Sequence, residues 1–180
     1  YGDLTPLQQE ALSADAVKQA LYEIMPRKAI ERFEQHDGAD FAYSLPGKGR
    51  FRVNVLRQLA GMGAVFRAIP SSALTLDQLK MPAAVRQLCL ASNGLILVTG
   101  KTGSGKSTSL AAMLDDINKR IKGHILTIED PIEFVHPRHN CLISQRELGA
   151  HTPSFSSALL SALREDPDVI LVGELRDLET

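Results

Sequence analysis

Cysteine is scarce in this sequence: only Cys89 and Cys141 occur, and they show no paired spacing. That excludes a disulfide scaffold and fits a reducing, cytoplasmic setting. An excess of positive charge is also lacking, because the formal net charge is −1. There is thus no general electrostatic reason to bind nucleic acid or an anionic membrane, which weakens a helicase or DNA-packaging reading. No apolar run approaches the length of a membrane span, and no basic-then-apolar signal sequence opens the chain. Direct membrane insertion is therefore not expected, and any membrane association would come through a partner. Internal repeats and low-complexity segments are absent as well. What remains is a chain of 180 residues, 44% hydrophobic and 23% charged, with the composition of a soluble globular protein of one ordinary domain or two small ones.

The most informative stretch is GLILVTGKTGSGKST, residues 94–108. Leu95 to Val98 form an apolar run too brief for a buried helix, which predicts a fully buried strand over 94–99. The run ends in Gly100-Lys101-Thr102-Gly103-Ser104-Gly105-Lys106-Ser107, which fits G-x-x-x-x-G-K-[ST] at every fixed position. Glycines are needed there because the backbone must turn tightly around a phosphate and aim its N–H groups at the oxygens. A helix from about Lys106 adds its positive N-terminus. The nucleotide-binding candidates are Thr102, Gly103, Ser104, Gly105, Lys106, Ser107 and Thr108. Within them Lys106 neutralises the β and γ phosphates of ATP, and the Ser107 hydroxyl is the natural Mg²⁺ ligand.

Ahead of this stretch the pattern reads as a separate small α+β domain over residues 1–72. Ser13 is placed to cap a helix running to about Met25, with Leu12, Ala16, Val17, Ala20, Leu21 and Ile24 at helical spacing. Pro26 opens a second helix with Ala29, Ile30 and Phe33 inward and Gly38 at its end. The period then changes to two. Phe41, Tyr43 and Leu45, the turn Pro46-Gly47-Lys48-Gly49, and Phe51, Val53 and Val55 predict an antiparallel hairpin with one apolar face. A third strand, Ala64 to Ile69, is closed by Pro70. Residues 73–81 form the expected connector, partly anchored by Leu74, Leu76 and Leu79.

The second domain, residues 82–180, alternates strands and helices. A helix over 82–91 precedes the glycine-rich loop. A helix from about Lys106 to Ile121, strands at 124–129 and near 141–146, a helix at 154–164 and a strand at 168–172 follow it. Such alternation predicts a parallel α/β sheet with nucleotide at the carboxyl ends of its strands. Two acidic clusters fall at those ends: Glu129-Asp130-Pro131-Ile132-Glu133 after His124 to Ile128, and Gly173-Glu174 after Asp168 to Val172. Gly173 stands where phosphate-loop NTPases usually carry an aspartate. Glu174 is assigned to metal and water positioning and Glu133 to the general base, an assignment that could be reversed. A loop or helix-capping role is the plainer reading of these carboxylates, most of all for Glu129 and Asp130.

The loop, IEDPIEF and LREDPDVILVGELRDLET, in one order and spacing, resemble the secretion-type hexameric ATPases of type IV pili and type II/IV secretion. FRVNVLRQLAGMGAVFRAIP extends the likeness into the first domain, and Gln145-Arg146-Glu147 and Leu163 to Asp168 look more like the retraction than the extension branch. The resemblance implies a PAS-like N-terminal domain, a RecA-like P-loop domain with a mainly parallel sheet, and a homohexamer driven by ATP. It also implies an inner-membrane pilus platform protein as partner. In this family arginines of the first domain help bind the phosphates, and Arg52 and Arg67 match those positions. Their plainer role is to solvate the outer face of a sheet. Glu174 and Glu133 fall on the family's Walker B and acidic-box glutamates, and the glycine at 173 is typical of it. The resemblance further implies a fragment, incomplete at its start and truncated after Walker B. An assembly or conjugative secretion ATPase, or a nucleotide-binding module without turnover, are the alternatives.

Weaker signals carry blander readings. His136, His139 and Cys141 crowd together, but their spacing matches no common zinc site. His124 and His151 read as strand-edge and loop residues. Arg138, Arg146, Arg164 and Arg176 read as solvated surface, and Asp177 as the start of a further helix.

Overall fold

Ser13 accepts a hydrogen bond at its Oγ from the Ala16 amide at 3.2 Å, and helix α1 (Ala14–Ile24) follows. The computed structural model describes residues 3, 5, 6, 10–70 and 72–175. Helix α2 (Arg27–His36) starts after Pro26, whose fixed φ suits an entry position. It ends on Asp37 in the left-handed region at φ 58°, with the Asp37 amide donating to the Phe33 carbonyl. Gly38, expected to stop the helix, instead opens strand β1 (Gly38–Leu45). Aspartate tolerates the left-handed conformation, so the stop needs no glycine.

Strand β2 (Gly49–Gln58) pairs antiparallel with β1, placing Ala39 opposite Val55, Phe41 opposite Val53 and Tyr43 opposite Phe51. Strand β3 (Gly61–Ile69) completes the sheet in the order β1-β2-β3. The apolar face closes on the helices: Leu21, Met25, Ala29 and Phe33 pack with Ala39, Val53, Val55 and Met62. Alternation then puts Arg50, Arg52 and Arg67 together on the opposite face. These elements belong to a first compact unit, which ends at Ala68.

The second unit begins at Ile69. Leu76, in the stretch before the short helix α3 (Ala83–Leu88), is only 3% exposed and joins the core of this unit. Helix α4 (Lys106–Arg120) leads into strand β4 (His124–Glu129). Strand β5 (Leu142–Glu147), helix α5 (Phe155–Ala162) and strand β6 (Val169–Val172) follow. The sheet is parallel, in the order β5-β4-β6. Successive β4 side chains point to opposite faces. Ile125 packs with Ala112, Met113 and Ile117 of α4, while Leu126 and Ile128 pack with Phe155, Ala158 and Ala162 of α5. The unit is therefore an α/β sandwich with helices on both faces of its sheet.

Two further features position the site. Residues 94–99, expected as a fully buried strand, are not one: Leu95 is 81% exposed and Leu97 61%. The reason is pairing, since among the described residues no strand bonds to this run, and an apolar sequence without a ladder partner has nothing to bury against. Asn118, 1% exposed near the end of α4, grips the segment leading into β5. Its Nδ2 donates to the Pro137 carbonyl at 2.8 Å, and its Oδ1 accepts from the His139 and Cys141 amides at 3.3 and 3.2 Å.

Candidate nucleotide site

The loop Gly100 to Gly105 is shaped by backbone that only glycine takes easily. Gly105 has φ 92° and is the cap residue of α4. Gly100 has φ 153°, and a Cβ there would lie 2.7 Å from Ser104 Oγ. Among the described residues no side chain caps the amides at the start of α4, and no acidic residue sits in its first turn. A long helix thus offers bare N–H groups and the positive end of its dipole to an anion. Lys106 folds over the same loop, its Nζ donating to the Gly100 and Lys101 carbonyls at 3.0 and 3.2 Å. Ser107 and Thr108, on the first turn, are half-buried.

Chain geometry brings this loop to the carboxyl end of the sheet. Helix α4 is 15 residues, about 22 Å long at 1.5 Å per residue. After a short link, β4 runs back along it for 6 residues, about 20 Å. The start of α4 and the end of β4 therefore lie at the same edge.

That edge carries the carboxylates. Register sets Glu129 beside Glu147 on β5, and the pairing of Ile128 with Val172 sets Gly173 beside Glu129. The Gly173 amide donates to the Ile128 carbonyl at 2.8 Å. A Cβ at Gly173 would come within 3.4 Å of both Cα and Cγ of Glu129. A side chain at 173 would thus start in close contact with the Ile128 carbonyl, at 3.3 Å, and with Glu129. Glu129 is buried, and burial pushes its carboxyl above the usual range. Opposing that shift, Thr127 Oγ1 donates to its Oε1 at 2.7 Å and the Glu133 amide donates to its Oε2 at 3.2 Å.

Glu174 is half-buried one residue past Gly173, and Glu133 is exposed on the loop that leaves β4. Ser107 and Glu174 offer a hydroxyl and a carboxylate, the hard oxygen donors that Mg²⁺ takes together with phosphate and water. Arg52, on β2 of the first unit, is half-buried, with its Nε 3.9 Å from Asp40 Oδ1. Arg67 is exposed on β3. Arg146 pairs with Glu165 at 2.7 Å, and that guanidinium holds the Glu165 carboxyl below its ordinary range. Arg138 and Arg164 are exposed, whereas Arg176 and Asp177 lie outside the described residues. Sequence reasoning gave no task to Gln145 or Glu147 and a capping role to Glu129. Their signal was positional: Glu129 and Glu147 end neighbouring strands in register.

His136 and His139 have separate surroundings. His139 Nε2 lies 3.7 Å from Asp115 Oδ1 on α4. His136 is buried, and burial lowers its pKa from the usual 6.5, with Asp115 opposing the shift. Below pH 6.5 the unfolded chain accepts a proton that folded His136 refuses, so this contribution to stability is present above that value and lost as pH falls. His136→Leu is expected to flatten the dependence of the melting temperature on pH between about 5 and 7. An unchanged slope would assign the acid sensitivity to another group.

Comparison with known proteins agrees with this geometry. Residues 8–180 match the family described as type II/IV secretion system protein. The chain is 52% identical over 179 residues to the type IV pilus retractation ATPase PilT of Pseudomonas aeruginosa, covering 99% of this chain and 52% of that protein. It is 50% identical to the twitching motility protein of Neisseria gonorrhoeae, covering 100% of this chain and 48% of that one. The fold superposes on the crystal structure of the pilus retraction motor PilT with bound ADP at a TM-score of 0.88 and 47% identity. That match covers 93% of this chain and 48% of the other. The chain spans about half the length of the curated relatives it matches. With its glycine-rich loop and strand-end carboxylates at one edge of a parallel sheet, the chain belongs to the type II/IV secretion system protein family.

Proposed function

We propose that this chain is the nucleotide-handling part of an ATPase that drives type IV pilus retraction. The observation that carries the reading is the bare amino end of α4, preceded by a loop matching G-x-x-x-x-G-K-S and set at the sheet edge that holds Glu129, Glu133 and Glu174. Backbone amides from Thr102 to Thr108 cradle the β and γ phosphates of ATP, and Lys106 turns its ammonium from the loop carbonyls to them. Ser107 and Glu174 would hold Mg²⁺, which when bound would offset phosphate charge. Glu133 takes the proton from the attacking water, while Glu174 also orients that water. Arg52 and Arg67, on one face of the first unit's sheet, neutralise charge spreading over the γ-phosphate.

The finer architecture follows the same family reading. Residues 1–72 form a PAS-like domain, 73–81 a linker and 82–180 a RecA-like core, and the protein works as a homohexamer. Among the described residues no helix is long and apolar enough to cross a membrane. We place the ring in the cytoplasm, recruited to the inner membrane by a pilus platform protein.

The test is steady-state ATP hydrolysis as a function of protein concentration, with oligomer size recorded in the same samples of intact protein. Specific activity is expected to rise as the ring assembles. Tight ATP binding with no turnover at any concentration would replace the motor with a nucleotide-holding module.

A further inference from the structure

The backbone that carries Glu133 is held by side chains from the ends of β4 and β5. Glu147 Oε2 accepts from the Ile132 amide at 3.1 Å. Glu129 Oε2 accepts from the Glu133 amide itself. Gln145 then takes both sides of the next stretch: its Nε2 donates to the Phe134 carbonyl at 2.8 Å, and its Oε1 accepts from the His136 amide at 2.9 Å. The same Nε2 reaches Glu129 Oε1 at 3.4 Å, joining the supports to one another. Gln145 and Glu147 lie two apart on β5 and so project from one face, toward the loop.

The contrast along the loop gives this arrangement its meaning. Ile132 is 4% exposed and His136 8%, so both ends are buried, while Glu133 between them is exposed. The main chain is fixed and the carboxylate is free to meet solvent or substrate. A general base must lie within hydrogen-bond reach of the water it activates, and a misplacement of about 1 Å can cost on the order of 100-fold in rate.

We propose that Gln145 and Glu147 are positioning residues for hydrolysis: they clamp the main chain on either side of Glu133 and thereby aim its carboxylate at the attacking water. The proposal rests on Glu133 being the base. Gln145 supplies both a donor and an acceptor from the two ends of one amide. Toward the loop, Glu147 Oε2 accepts from the Ile132 amide, a task that a carboxamide oxygen can also perform. Neither residue touches the phosphates in this scheme, so nucleotide affinity is independent of them.

The test measures kcat, KM for ATP, ADP affinity and the melting temperature of the intact protein and of Gln145→Ala, Glu147→Ala, Glu147→Gln, Glu133→Gln and the double variant Gln145→Ala/Glu133→Gln. Gln145→Ala is expected to lower kcat by about 10- to 100-fold while KM and ADP affinity stay within about threefold. Glu147→Ala should fall similarly, and Glu147→Gln should recover most of the loss, because the acceptor for Ile132 is restored. Adding Gln145→Ala to Glu133→Gln should cost nothing further, since a positioning residue acts only through the group it positions. Wild-type kcat in Gln145→Ala, with turnover lost in Glu133→Gln, would overturn the positioning role and leave the base assignment standing. Wild-type kcat in Glu133→Gln would overturn the base assignment and the positioning role with it. Equal losses in kcat and ADP affinity, tracking a fallen melting temperature, would reduce Gln145 to a structural support.

Discussion

Lys106→Ala is expected to weaken ATP binding by at least about 100-fold, roughly 2.7 kcal/mol, and to bring turnover below detection. The expectation follows from what the ammonium does in the structure. It bonds two loop carbonyls, Gly100 and Lys101, in a site open to solvent, so removing it leaves those carbonyls to water at little cost in stability. Alanine is also the best helix former for the first residue of α4. The fold should therefore survive while the phosphates lose their nearest positive charge. Titration calorimetry with ATP, beside a thermal melt of the same sample, separates the two effects. Unchanged affinity would mean that the loop does not hold phosphate, and the nucleotide reading would fall.

The second large effect separates the two carboxylates. Glu133→Gln removes a proton acceptor but keeps the length of the side chain and the main-chain bond to Glu129, so kcat should drop by about 10²- to 10⁴-fold with ATP affinity intact. Glu174→Gln keeps the shape but removes a charge from the proposed Mg²⁺ partner. Its turnover should fall too, and the Mg²⁺ concentration needed for half-maximal rate should rise. Measuring rate against Mg²⁺ in both variants decides the roles. A shift in Mg²⁺ demand for Glu133→Gln, and none for Glu174→Gln, would exchange the two assignments.

Local physics made much of this chain legible in advance. The hairpin was readable because side chains alternate with a period of two, and the register of Phe41 with Val53 and Tyr43 with Phe51 fulfils that alternation. The helices were readable because their starts are marked: Ser13 and Ser154 each accept an amide three residues on. One failure involves partners distant in sequence and one a local tolerance. Residues 94–99 have a strand's composition, yet composition cannot provide a neighbouring strand, and the run lies exposed. The stop at Asp37 instead of Gly38 turned on a tolerance that aspartate shares with glycine.

The candidate site divides in the same way. The phosphate loop is contiguous, so its spacing alone reveals it. Glu129, Gln145 and Glu147 are separate in the chain and acquire a joint task only when β4 and β5 align and the 132–136 loop folds back over their ends. The glycine at 173 looked like a missing aspartate in one dimension. In three dimensions it lies close beside Glu129, across the β4–β6 pairing.

Asn118 has a mechanical consequence. Helix α4 begins at the phosphate loop and, near its other end, holds Pro137, His139 and Cys141 through one amide side chain. A hydrogen-bonded helix of this length transmits an axial push with little bending, as a piston rod does. One end of this rod therefore lies at the phosphate loop and the other, about 20 Å away, at the segment that feeds β5.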